Sequence, residues 1–153
     1  MESSDFQAAS HFVQTQLTAK LQDPAFRHQI ATPPASTDEM HSLFGMTRLI
    51  GNYYEGMGIV VKTRLVDKDI VLEMWADIVT QNWDRLAPVA VILRRKVGDG
   101  LWENFEYLAV LAQDWKAAHP RGTYPVGVRR ITVKDQWLEA DEQYAASLAA
   151  STG

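Results

Sequence analysis

Asn52 and Glu55 form the polar pair in this sequence whose types and spacing are best suited to chemistry. They lie three residues apart in an apolar segment, beside Tyr53 and Tyr54, so a helix would bring both side chains to one side. A carboxylate in such an aromatic pocket could act as a general base. Buried charges usually persist only when they are paired, and we therefore favour an ion pair that fixes the fold without turnover. The candidate partners of Glu55 are Arg48, Arg94 and Arg95.

Further polar and aromatic residues would complete a ligand site around this pair. The predicted ligand-binding residues are Asn52, Glu55, Trp83, Arg94, Arg95 and Glu106. Four tryptophans at helical spacing could also stack a ligand ring, but such stripes are more often core residues, and we expect them in the core. They are Trp75, Trp83, Trp102 and Trp115.

A basic segment near the carboxyl end, residues 121–130, is the second place where chemistry could occur. It combines three arginines, Arg121, Arg129 and Arg130, with two glycines and a tyrosine. Arginine side chains and exposed backbone amides bind anions, so the segment could hold a phosphate or an acidic peptide. We favour the alternative of a solvated loop that packs on the acidic residues of the last helix. No glycine-rich phosphate-binding motif decides between the two.

A metal site is the next possibility, because helical bundles hold metal pairs through inward glutamates and Glu-x-x-His motifs. Glu103 and Glu106 raise this possibility, but no Glu-x-x-His occurs and the four histidines are scattered. The absence of cysteine excludes disulfides, thiolate metal sites and a cysteine nucleophile. No Ser-His-Asp set can be argued. We therefore predict no metal and no cofactor, and we identify no catalytic set.

Composition favours a protein without nucleic-acid or membrane partners. The formal net charge of −4 and the sequence pI near 5.5 give no global attraction to polyanions. The amino terminus lacks the basic and apolar regions of a secretory signal, and no apolar run approaches the ~20 residues that span a bilayer. We therefore expect a cytoplasmic protein with no membrane segment.

Hydrophobic periodicity predicts an all-α fold, a helical bundle of about five to six helices with one long central helix. We expect a single domain over residues 1–153, with a core bundle at 5–118, a loop at 119–133 and a carboxyl-terminal helix at 134–150. The prolines at 33 and 34 mark a linker. Residues 131–133 could instead form a short extended piece.

Within the core bundle, capping residues place the helix boundaries. The predicted helices cover residues 5–21, 24–30 with Asp23 as N-cap, 36–65 after a capping box at Ser36, 70–95 after a turn and N-cap at residues 66–69, and 101–118. We expect a kink or a restart at Pro88, and a break near Gly56 is an alternative to one long central helix. That helix also carries glycines at 45, 51, 56 and 58, whose low helix propensity predicts close helix contact or a bend.

Several of these segments resemble a family of small bacterial helical domains of unknown function. The resemblance covers residues 5–116 and is carried by Asn-Tyr-Tyr-Glu at 52–55, Leu-Val-Asp at 65–67, Trp83 with Pro88, Arg94, and Phe-Glu-Tyr-Leu at 105–108. Members of that family often carry an amino-terminal membrane helix, and some are labelled as phage-defence or abortive-infection proteins. This sequence departs from them because it has no such helix. The resemblance implies a helical fold and supplies no catalytic residue.

Two functional hypotheses remain. The first, which we prefer, is a non-enzymatic helical interaction module that uses an exposed apolar helix face to form a homodimer or bind a protein partner, in a bacterial stress or phage response. The alternative is a small-molecule or anion-binding domain, with possible hydrolytic activity, centred on Glu55 and Arg94.

Overall fold

Seven α-helices make up the secondary structure of the residues that the computed structural model describes, which are 4–32 and 38–152. The helices are α1 (Ser4–Thr15), α2 (Leu17–Lys20), α3 (Pro24–Ala31), α4 (Asp38–Lys62), α5 (Lys68–Val97), α6 (Glu103–Ala118) and α7 (Leu138–Ser151). No strand occurs in these ranges. The predicted all-α class is confirmed, with α2 a single turn. Two helices are long, because α4 has 25 residues and α5 has 30.

The amino-terminal helices follow the predicted capping signals with one difference. The helix expected over residues 5–21 is divided at Gln16 into α1 and α2. Asp23 caps α3 as predicted, since its Oδ1 accepts a hydrogen bond of 2.9 Å from the backbone N–H of Ala25. The linker prolines at 33 and 34 and the Ser36 capping box lie outside the described residues.

The two long helices are continuous where the sequence suggested breaks. α4 passes through Gly56, and α5 passes through Pro88 without a restart. A proline inside a helix removes a hydrogen bond and costs about 3 kcal/mol. The neighbouring side chains of Leu86 and Val89 are fully buried, and their packing offsets that cost. The N-cap predicted within residues 66–69 is Asp67, which accepts from the backbone N–H of Asp69 at 2.8 Å, and α5 begins at Lys68, two residues earlier than predicted.

The core forms where α6 packs against both long helices. α1 packs on α4, and α3 packs on α5. Phe105 at the start of α6 is fully buried, stacks on Tyr54 at 5.0 Å between ring centroids and meets Trp83 edge-on at 5.0 Å. The first turn of α6 is therefore held by aromatic contacts from both long helices.

The chain separates into two compact units, one ending at Thr123 and the other beginning at Tyr124. The first contains α1 to α6 and the entire buried core. The second contains α7, which has no buried residue. It begins with an irregular segment in which the Tyr124 hydroxyl donates to the backbone oxygen of Arg129 at 2.9 Å. Residues 131–133 form no strand, and the carboxyl-terminal helix begins at Leu138, four residues later than predicted.

Candidate functional site

Three positions on one face of α4 receive the segment that leads into α6. Gly51, Glu55 and Gly58 are four and three residues apart, so they line the same side of the helix. A Cβ atom at Gly51 would overlap the indole ring of Trp102, and one at Gly58 would overlap the backbone oxygen of Asn104. Glycine at these positions lets the two segments approach this closely. The contact predicted from the glycines of this helix is therefore confirmed at these two.

Glu55 caps α6 from a distance. Its Oε2 accepts from the backbone N–H groups of Asn104 at 3.0 Å and of Phe105 at 2.9 Å. Its Oε1 accepts from the side-chain amide of Asn104 at 2.6 Å. These backbone amides are two of the four that a helix cannot bond internally at its amino terminus. The carboxylate also lies at the positive end of the helix dipole.

The side chain at the N-cap position of α6 does not accept hydrogen bonds from the first amides of this helix. Trp102 occupies the N-cap position and makes no capping hydrogen bond through its side chain. Its φ of 52° lies in the left-handed region, which non-glycine residues rarely adopt. Its indole is buried and donates from Nε1 to Asn52 Oδ1 at 3.0 Å. Glu55 supplies the acceptor that a serine or aspartate would normally provide at this position.

Arg94 attaches the same segment to α5. Its Nε donates to the backbone oxygen of Leu101 at 2.9 Å, and its Nη2 forms an ion pair of 2.7 Å with Glu106. The side chain of Arg94 is only 16% exposed, so water screens this pair less than it would a surface pair. Residues on α4 and α5 thus hold the amino-terminal end of α6 from two directions.

The predicted ion pair between Glu55 and an arginine is wrong. Within the described residues Glu55 makes no ion pair, Arg94 pairs with Glu106, and Arg48 and Arg95 are exposed and also without an ion pair. The physical reason is that a partly buried carboxylate needs hydrogen-bond donors, and the free amides of a helix amino terminus supply them as well as a cation does.

Most of the predicted ligand-binding residues do converge on the start of α6. Polar groups contact this segment from Asn52, Glu55 and Arg94, and the ring of Trp83 packs against it. Glu106 lies in the first turn of α6 and pairs with Arg94. The sixth predicted residue, Arg95, makes no polar side-chain contact within the described part of the chain. Both oxygens of Glu55 accept hydrogen bonds from α6, so this arrangement is suited to holding a helix in place and leaves no free basic oxygen.

Two buried asparagines make polar contacts near this site although neither was among the predicted site residues. Asn104 is 7% exposed and donates its side-chain amide to Glu55. Asn82 is 2% exposed and donates to the Tyr54 hydroxyl at 3.2 Å and to the backbone oxygen of Ile78 at 2.8 Å. Each of these asparagines shares the apolar face of a predicted helix. An amide on that face must find hydrogen-bond partners in the interior, so this placement indicated buried polar contacts.

The predicted anion-binding residues Arg121, Arg129 and Arg130 are all exposed. The guanidinium of Arg130 lies over the ring of Tyr124, 4.2 Å from its centroid. Within the described residues, no ion pair joins Arg129 or Arg130 to the acidic residues of α7, which are Glu139, Asp141 and Glu142. The favoured loop-on-helix packing thus gains no support from ion pairs.

The tryptophans predicted to lie in the core differ in their burial. Trp102 is 3% exposed, while Trp83 and Trp115 are partly buried against the core. Trp75 is 38% exposed and is therefore a surface residue. No group of three or more His, Asp or Glu side chains within residues 4–32 and 38–152 is arranged to hold a metal ion. No helix in the described part is both long and apolar enough to cross a membrane.

Comparison with known proteins gives one positive result. Neither the curated proteins nor the solved structures contain a significant match to this chain. The family model described as a domain of unknown function, DUF4760, matches residues 1–115, which include α1 to α5 and nearly all of α6. The match covers the glycine face of α4, the Glu55 cap and Arg94. The chain therefore belongs to the DUF4760 family of domains of unknown function.

Proposed function

We propose that this protein is a non-enzymatic helical interaction module that associates with a second copy of itself. The sequence resemblance to bacterial domains labelled as phage-defence proteins extends the proposal to a cytoplasmic role in a bacterial stress or phage response. The observation that carries the proposal is the engagement of the Glu55 carboxylate. Because both of its oxygens accept hydrogen bonds from α6, the best candidate for a general base serves the fold instead.

An apolar surface on α4 and α5 supplies the means of association. Tyr53 is 45% exposed and Trp75 and Ile78 are each 38% exposed, and together they line a shallow groove of about 140 Å³ between α1, α4 and α5. Ile70 and Met74 precede Ile78 at four-residue intervals on α5, so they continue the same stripe. We name these five residues the α4–α5 apolar surface. Tyrosine and tryptophan are the residues most enriched at the centres of protein interfaces.

A second copy is the partner that this surface fits best. The described residues lining the groove carry no charge, so two copies related by a twofold axis would meet at the groove itself without like-charge repulsion. An apolar stripe of this kind is costly to leave in water, because each square ångström covered contributes about 25 cal/mol.

Self-association of the full chain tests the proposal. Light scattering across a wide concentration range should show the 17.2 kDa chain passing to twice that mass. Met74→Lys should weaken the dimer by at least about tenfold, because a lysine would bury its charge at the contact. Val91→Lys is the matched control, since Val91 is 58% exposed on the same helix. It lies about 25 Å from Met74 at 1.5 Å per residue.

A wild-type chain that stays monomeric at every concentration would overturn self-association. An equal loss in the Met74 and Val91 variants would show that added charge, and not this surface, is responsible. The hypothesis of a ligand or hydrolytic site at Glu55 and Arg94 is tested separately with Glu55→Gln. A panel of nucleotides and metabolites is first screened for ligands that raise the melting temperature of the wild-type chain. The hypothesis requires that Glu55→Gln abolish any increase found in this way.

A further inference from the structure

A cavity of about 750 Å³ lies between α3, α4, α5 and the residues that precede α6. This volume falls within the ~300–1,000 Å³ typical of small-molecule sites. The cavity includes Asn52 and Trp102, which bond to each other before α6, but not Glu55, and it includes no residue of the α4–α5 apolar surface. It therefore shares two residues with the segment that Glu55 caps and none with the proposed dimer surface.

The charged side chains lining this cavity are both cations. They are Arg48 on α4 and Lys96 on α5, and the described lining contains no acidic residue. Both are exposed, and neither forms an ion pair within the described residues. Asn52 adds a donor, because its Oδ1 is engaged by Trp102 while its Nδ2 has no acceptor among the described residues. These groups suit a single anionic head group.

The rest of the wall is apolar. Leu49 is 40% exposed and Val97 is 65% exposed, so both present apolar surface that the described part of the chain leaves uncovered. Phe44 also lines the cavity, and the guanidinium of Arg48 lies 5.7 Å from its ring centroid, which keeps the cation beside the apolar wall. The other aliphatic residues of the described wall are Ile30, Ala31, Leu93 and Leu101.

The geometry points to a single-chain amphipathic anion, such as a fatty-acid carboxylate, as the ligand of this cavity. The carboxylate lies between Arg48 and Lys96, and the alkyl chain covers Leu49 and Val97. Inorganic phosphate alone would leave the apolar wall in water, and a neutral hydrocarbon would make no use of the two cations. This inference goes beyond self-association and concerns a different part of the molecule.

Calorimetric titration of the full chain with decanoate, below its micelle concentration, tests the assignment. We expect one saturable site, with decanol binding at least about tenfold more weakly because it lacks the charge. The double variant Arg48→Gln/Lys96→Gln should weaken decanoate binding by at least about tenfold. The matched control is Lys62→Gln/Arg95→Gln, which also removes one exposed cation from α4 and one from α5, but outside the cavity.

Three outcomes would overturn the inference. One is the absence of saturable decanoate binding. Another is equal binding of decanol and decanoate, which would show that the cations play no part. The third is an equal loss of affinity in the Lys62/Arg95 control, which would indicate non-specific attraction to a basic surface. Circular dichroism of each double variant checks that the fold is retained, and the light-scattering result for the dimer has no bearing on any of these outcomes.

Discussion

Replacing Glu55 with alanine should destabilise the bundle, because it removes the acceptor that α6 uses at its amino terminus. Hydrogen bonds to a charged group contribute about 1.5–3 kcal/mol each, but the three made by Glu55 share one carboxylate and do not add. Loss of an N-cap costs about 1 kcal/mol in typical helices. Asn104 is buried, so its unpaired amide adds to the loss. We expect a decrease of about 3 kcal/mol in the free energy of unfolding.

Urea unfolding followed by tryptophan fluorescence and by circular dichroism measures this change. The chain has five tryptophans, and Trp102 reports on the same segment, so both signals should shift together if unfolding is two-state. Hydrogen exchange adds a local measurement. The backbone amides of Asn104 and Phe105 should lose protection in the variant beyond the loss that its global stability predicts.

Two further substitutions separate the cap from a general charge effect. Glu55→Gln keeps one carbonyl oxygen for the α6 amides, so we expect a smaller loss of about 1–2 kcal/mol. Glu103→Ala is the matched control, because Glu103 is exposed in the first turn of the same helix and forms no ion pair within the described residues, which leaves its interaction with the helix dipole. That loss should stay below about 1 kcal/mol. If the alanine variants at 55 and 103 are equally destabilised, the distal cap is not what holds α6.

Four other substitutions, the first two of which are compared as a pair, use the same urea assay. Gly58→Ala should lower the free energy of unfolding by about 1–2 kcal/mol, because its Cβ would overlap the backbone of α6. Gly56→Ala, with open space around its Cβ, should raise it by about 0.5–1 kcal/mol, and matching signs would contradict the close approach. Trp102→Leu, which leaves the Asn52 oxygen without the indole donor and opens a void, should cost about 3 kcal/mol. Arg94→Met should lower the free energy of unfolding by about 2 kcal/mol, because it removes the donor to the backbone oxygen of Leu101. An unchanged free energy of unfolding would show that this hydrogen bond does not stabilise the fold.

The sequence predicted most of the helices because capping residues and periodicity are local signals. Asp23 caps the helix that it was expected to cap, and Asp67 supplies the N-cap expected within residues 66–69. Local signals could not decide whether the helix restarts at Pro88, where buried neighbours offset the proline and α5 continues. The candidate site shows the same division between local signals and tertiary packing. Spacing along one helix predicted that Asn52 and Glu55 lie on one side of it. It could not identify the partner of Glu55, which lies 49 residues away along the chain.

The structure shows why this partner suits Glu55, because each of the two groups lacks a partner on its own helix. Glu55 lies among apolar residues without a basic residue three or four positions away on its own helix, so it needs donors from elsewhere. The start of α6 offers no Ser, Thr, Asn or Asp at its N-cap position, so its first amides need an acceptor from elsewhere. The glycines at 51 and 58 show which face of α4 a neighbouring backbone can reach, and Glu55 lies on that face. A partly buried carboxylate flanked by glycines at helical spacing is therefore better explained as a distal cap than as a general base.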